Sequence, residues 1–92
     1  MDITWNPVKA KANKLKHGIN FDEVLEVFTD VFAITIEDPD ANDESLFISV
    51  GLDSLGRIVV VVYTYEGSTI RIISARRASK SESRAYEKRI RL

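Results

Sequence analysis

Three arginines stand close together in Arg71-Ile72-Ile73-Ser74-Ala75-Arg76-Arg77, a β-prone run within a chain whose formal charge is only −1. A guanidinium stays charged at all relevant pH and offers a planar fork of donors that fits phosphate or carboxylate oxygens two at a time. The segment therefore asks for an anionic ligand, with RNA among the candidates. His17, the single histidine, is the natural acid or base if one is needed. It also sits beside a helix-ending glycine, and the alternative reading is that the imidazole merely stabilises the helix terminus. Lys9, Lys14 and Lys16 form either a phosphate-facing row or a solvated helix face. Glu44 follows an acidic loop at the start of a strand, a place for a carboxylate base. Tyr86 lies four residues after Glu82, where its hydroxyl either reaches a phosphate or the ring covers the sheet.

Other chemistries find no support. There is no cysteine, no glycine-rich phosphate loop, no nucleotide fingerprint and no zinc spacing. Neither a metal nor a cofactor is expected, and Ser74 has no histidine near it in sequence to complete a nucleophilic triad.

Charge is strongly segregated. Residues 1–20 carry four lysines and one aspartate; residues 21–53 carry ten acids and neither Lys nor Arg; residues 54–92 carry nine bases and three acids. The two basic ends build a local patch if they meet in space, and simply neutralise the acidic middle if they do not.

The elements that must position these groups are legible from caps and periodicity. Ile3 to Trp5 is β-prone. Asn6-Pro7 opens a helix to about Lys16, with Gly18 at its left-handed end. Asn20 and Glu23 resemble a capping box, and Ile19 and Val24 a hydrophobic staple, for a second helix whose Val24, Val27 and Phe28 face the core. Strands are expected over Val31–Ile36, Leu46–Leu52, Ile58–Tyr65 and Thr69–Ala75, with an acidic loop from Glu37 to Glu44. Ile58–Tyr65 hardly alternates, as in a central strand covered on both faces. Ser79 and Glu82 form another capping box, opening a helix from Lys80 to about Arg89. The order β-α-α-β-β-β-β-α describes a small α+β domain over residues 1–92 with a mainly antiparallel sheet. Spanning runs and signal-like termini are absent, so a cytoplasmic protein without membrane contact is expected.

Trp5-Asn6-Pro7, Lys9-Ala10, Asn13, Lys16-His17-Gly18, Phe21, Phe28, Asp30, Gly51 and Arg71-Ile72-Ile73-Ser74-Ala75-Arg76, followed by Glu82 and Tyr86, closely resemble the BrnT toxins. The resemblance spans nearly the whole chain. It implies a RelE-like α+β fold, an endoribonuclease of a type II toxin-antitoxin pair, and a BrnA-like antitoxin with a ribbon-helix-helix DNA-binding region. Operator DNA would be met only indirectly, through that antitoxin. It also implies Lys16, His17, Glu44, Arg76 and Tyr86 as the catalytic set, acting without metal on the 2′-hydroxyl. Glu44 or His17 would be the base, Lys16 and Arg76 would hold the phosphate, and His17 or Tyr86 would be the acid. Lys9, Lys14, Arg57, Arg71 and Arg77 are the expected RNA-binding residues.

One departure stands out. Family members commonly carry an arginine two residues after the glutamate, where this chain has Leu46. Either the chain is a weak or inactive toxin that serves as an antitoxin-binding corepressor, or Arg57 substitutes. A third reading, a general RNA-binding module, would use Tyr63 and Tyr65 as a stacking platform. Strand alternation puts Arg71 and Arg77 on one face and Arg76 on the other, towards Lys16 and His17, unless a bulge intervenes.

Overall fold

The computed structural model describes residues 1–42 and 44–91. Its elements are β1 (Asp2–Trp5), α1 (Pro7–His17), a 3-10 helix (Phe21–Thr29), β2 (Ile34–Glu37), β3 (Phe47–Leu52), β4 (Ile58–Glu66), β5 (Thr69–Arg77) and α2 (Lys80–Ile90). The five strands lie in the order β1-β5-β4-β3-β2. Only the β1–β5 pair is parallel; β5–β4, β4–β3 and β3–β2 are antiparallel. The expected α+β order is present, with the unalternating β4 at the centre. Among the described residues no helix is long and apolar enough to cross a membrane.

Caps define the helices. The Asn6 side chain accepts the N–H groups of Val8 and Lys9, and Gly18 ends α1 at φ 73° with its N–H on the Lys14 carbonyl. A left-handed residue there costs least as glycine. The Asn20 N–H donates to Glu23 Oε1 at 2.9 Å. The segment that this box opens is a 3-10 helix rather than the expected α-helix. Phe21, Val24 and Val27 are all buried, and a strict three-residue spacing makes one continuous row only when there are three residues per turn.

The helix also delays the next strand. Asp30 accepts the Phe32 N–H on its side chain and the Ala33 N–H on its carbonyl, so residues 31–33 turn and β2 begins at Ile34, not Val31. Gly51 makes this approach possible. A Cβ there would lie 3.1 Å from Val27 Cγ1 and 3.2 Å from Asp30 Oδ2.

The sheet has two differently covered faces. On one, Ile19, Phe21, Val24 and Val27 pack on Val59, Val61, Tyr63, Ile70, Ile72 and Ala75. On the other, Tyr86 of α2 packs on Val50 and Val60. Burying these side chains is the main stabilising term, and the first face carries most of it. Helix α2 buries only Tyr86 fully and leaves much of its sheet face open.

The β4–β5 register contains the decisive irregularity. Tyr63 faces Ile72 but Val62 faces Ser74, so Ile73 is an extra residue, a bulge. Alternation reverses across it. Arg71, opposite Thr64, and Arg76, opposite Val60, therefore share the α2 face, while Arg77, opposite Val59, lies on the other. The expected grouping of Arg71 with Arg77 is thus corrected.

Candidate active site

β1 accompanies β5 only as far as the pair Trp5–Ile72, because Pro7 then starts a helix. The outer edge of β5 beyond Ile72 would be left without backbone partners. Asn13, buried on α1, fills that role: its Oδ1 accepts the Ala75 N–H at 3.0 Å and its Nδ2 donates to the Ala75 carbonyl at 2.9 Å. The second Nδ2 hydrogen goes to the Ile19 carbonyl at 3.0 Å. This amide fixes the last turn of α1 against the strand edge.

The result is an open cleft of about 310 Å³ in which Lys9, Lys16 and His17 of α1 face Ile73 and Ser74 of β5. The amino-terminal basic segment meets β5 here, but no basic side chain of residues 54–92 lines the cleft. His17 is half-buried and Lys9 and Lys16 are exposed, so cations can reach a ligand in solvent. Lys14 turns back to the Gly18 carbonyl at 3.2 Å and acts on the helix terminus.

Ser74 points to the α2 face of the sheet, flanked along β5 by Arg71 and Arg76. Arg71 Nη2 lies 3.3 Å from Glu44 Oε1, and its Nε lies 3.4 Å from Glu66. All three side chains are solvent-accessible, so the pairs are readily exchanged for a ligand phosphate. Glu44 itself lies in the bend before β3 rather than at its first residue. Arg71 and Ser74 are three residues apart on β5, so their backbone positions lie about 10 Å apart along the strand.

Arg76 behaves differently. Its guanidinium makes a bidentate pair with Glu82, Nη1 to Oε1 at 2.8 Å and Nη2 to Oε2 at 2.9 Å. Glu82 also accepts the Ser79 N–H at 2.8 Å while its own N–H donates to Ser79 Oγ, so one carboxylate closes the capping box and holds the arginine. The Arg76 guanidinium, and to a lesser degree the Ser79 contacts, lower the Glu82 carboxyl to about 2. The Arg76 guanidinium is pushed up by the same pair. The expected orientation of Arg76 towards Lys16 and His17 is corrected: it engages Glu82.

Tyr86 and Arg57 are elsewhere. The Tyr86 hydroxyl donates to Asp30 Oδ2 at 2.6 Å, in a cavity that also contains Glu26, Phe32, Leu52 and Asp53. Burial and then the Asp30 carboxylate push the Tyr86 hydroxyl up to about 12. Burial works against ionisation of Asp30, but hydrogen bonds from Tyr86, Leu52 N–H and Phe32 N–H outweigh it and lower that carboxyl. An acid-lined cavity repels phosphate. Arg57 is held by Asp53 at 2.7 Å and Glu23 at 3.3 Å, at the β3–β4 turn, and is not beside Glu44. Arg77 is exposed at the end of β5.

Tyr63 is packed between Phe28 and Phe47 and its hydroxyl bonds Ser49, which leaves Tyr65 as the exposed ring of that pair. Among the described residues no group of three or more His, Asp or Glu could hold a metal ion. Asn13 was among the residues that carry the family resemblance, but sequence reasoning gave it no role and missed it as the positioning residue.

No curated protein matches the chain. The sequence profile of the family described as the ribonuclease toxin, BrnT, of type II toxin-antitoxin systems matches residues 5–82. The crystal structure of the Brucella abortus ribonuclease toxin, BrnT, is 28% identical in sequence and superposes with a TM-score of 0.68, covering 87% of this chain and 99% of that one. The match contains α1, the bulged β5 and the Ser79–Glu82 start of α2, and with it this chain belongs to the BrnT family of ribonuclease toxins of type II toxin-antitoxin systems.

Proposed function

We propose that the chain is an endoribonuclease that cleaves RNA by attack of a 2′-hydroxyl on the adjacent phosphodiester, at the free edge of β5, and that a BrnA-like ribbon-helix-helix antitoxin neutralises it. The observation that carries this reading is the convergence of Lys9, Lys16 and His17 on Ser74, beside the Glu44–Arg71 pair. The reaction needs a base for the 2′-hydroxyl proton, cations for the charge that grows on phosphorus-bound oxygen, and an acid for the departing 5′-oxygen. Glu44 and His17 supply the proton-transfer groups, and Lys16 and Arg71 supply positive charge. The O2′–P bond forms as the P–O5′ bond breaks, giving a 2′,3′-cyclic phosphate and a 5′-hydroxyl.

Leu46 favours a second reading, a corepressor without turnover, since the family's arginine is missing there. Arg71 answers it. Its guanidinium lies beside Glu44, whereas Arg57 is committed to Asp53 and Glu23. The test is incubation of antitoxin-free protein with RNA in the presence of a chelator, with identification of the product ends. Cyclic phosphate ends support the enzyme; intact RNA at large protein excess leaves the corepressor.

A further inference from the structure

At the far border of the α2 face lies a feature that the cleavage chemistry does not use. β2 is an edge strand, and Ile34 and Ile36 pair across it with Val50 and Ile48. Together with Ala85 and the Arg76–Glu82 pair these residues enclose an open groove of about 290 Å³. Ile36 is 54% exposed. Natural sheets blunt an exposed apolar edge with charge, proline, a bulge or shortness; β2 is short and ends in Glu37, but Ile34-Thr35-Ile36 carries no charge, proline or bulge.

The end of β2 and the loop after it are acidic, while the nearby cations are already engaged, Arg76 by Glu82 and Arg89 by the Phe32 carbonyl. Residues 21–53 contain neither Lys nor Arg, and Glu37, Asp38 and Asp40 make no ion pair among the described residues. A partner suited to this edge is extended, apolar at alternate positions and basic where it passes Glu37, Asp38 and Asp40. Electrostatic complementarity of that kind raises association rates and sets orientation.

We propose that β2 and its groove dock an extended, basic segment of the protein antitoxin. The segment adds as a sixth strand along Ile34–Glu37, sets apolar side chains on Ile36 and Ile48, and pairs Lys or Arg with Glu37, Asp38 and Asp40. The proposal rests on membership of a type II toxin family, not on the cleavage chemistry. It also gives inhibition a route: the cross-strand row Ile36, Ile48, Val62, Ser74 runs from this groove to the edge of the candidate cleft.

The experiment uses the intact toxin–antitoxin complex. Ile36→Lys is expected to weaken the complex at least tenfold and Ile36→Val to leave it unchanged. Reversal of Glu37 and Asp40 to Lys is expected to slow association and flatten its salt dependence. Amide exchange over residues 34–37 should slow on complex formation. Full affinity of Ile36→Lys, or no protection over 34–37, overturns the proposal. So does concentration-dependent protection of 34–37 in toxin alone, which would assign the edge to a second copy. Free Ile36→Lys toxin should cleave RNA as the parent does; if neither cleaves, the enzymatic reading fails while the docking measurements still decide this one.

Discussion

The side-chain amide of Asn13 stands in for a strand beside Ala75, accepting its N–H at 3.0 Å and donating to its carbonyl at 2.9 Å. This contact joins residues 62 positions apart and sets where Lys16 and His17 lie relative to β5. Because Asn13 is buried and also satisfies the Ile19 carbonyl, Asn13→Ala leaves several buried polar groups unpaired. A loss of about 3 kcal/mol is expected in urea unfolding. Asn13→Asp, which cannot donate, should lose a comparable amount. Parent-like stability of both variants would contradict the role assigned to the amide.

The Glu82–Arg76 pair predicts an acid-dependent loss of stability. The Glu82 carboxyl titrates at about 2 in the folded protein against a reference of 4.5, so its contribution is full above about pH 4.5 and disappears as pH falls through 2. Arg76 is 44% exposed, and solvent screening reduces the contribution to about 1 kcal/mol. Glu82→Gln should therefore be less stable than the parent at pH 7, with the difference closing near pH 2. A constant difference across that range would count against the pair.

Tyr86→Phe separates structure from catalysis. It removes the 2.6 Å bond to Asp30, with an expected cost of about 1–2 kcal/mol in thermal or urea unfolding. The raised Tyr86 hydroxyl contributes below about pH 10, and that contribution is lost as pH rises through 12. Cleavage rates should not change, whereas loss of a general acid would slow the reaction about 10²–10⁴-fold. A rate loss of that size would return Tyr86 to the catalytic set.

Arg71 and Arg57 predict opposite outcomes. Arg71→Ala should slow cleavage about 10²-fold, the usual effect of removing a transition-state donor, with little change in stability because its pairs are exposed. Arg57→Ala should leave the rate unchanged and destabilise the β3–β4 turn, where Asp53 is fully buried at its side chain. Steady-state kinetics with urea unfolding of both variants distinguishes the two roles.

Much of the fold was legible because local signals agreed. Asn6-Pro7, Gly18 and Ser79 with Glu82 marked helix ends, and the unalternating Val59–Val62 marked the central strand. The 3-10 helix was hidden because Phe21, Val24 and Val27 also fit an α-helical face. The bulge at Ile73 was harder. A sequence carries side-chain periodicity, but the extra residue is defined by its partner strand, and it changes which arginines share a face. Lys16 and His17 stood out by residue type and line the cleft, while Asn13 stood in the family motif but its role, exerted through backbone groups 62 residues away, was not legible.

Single-turnover cleavage of RNA by His17→Ala and Lys16→Met, measured beside Tyr86→Phe and Arg57→Ala as controls, tests most directly whether the reaction takes place at the free edge of β5. Both edge variants are expected to slow formation of cyclic phosphate ends by about 10²-fold or more while remaining folded, and the controls to keep the parent rate. Parent-like rates for His17→Ala and Lys16→Met, with loss of activity in the Tyr86 or Arg57 variant, would contradict cleavage at that edge.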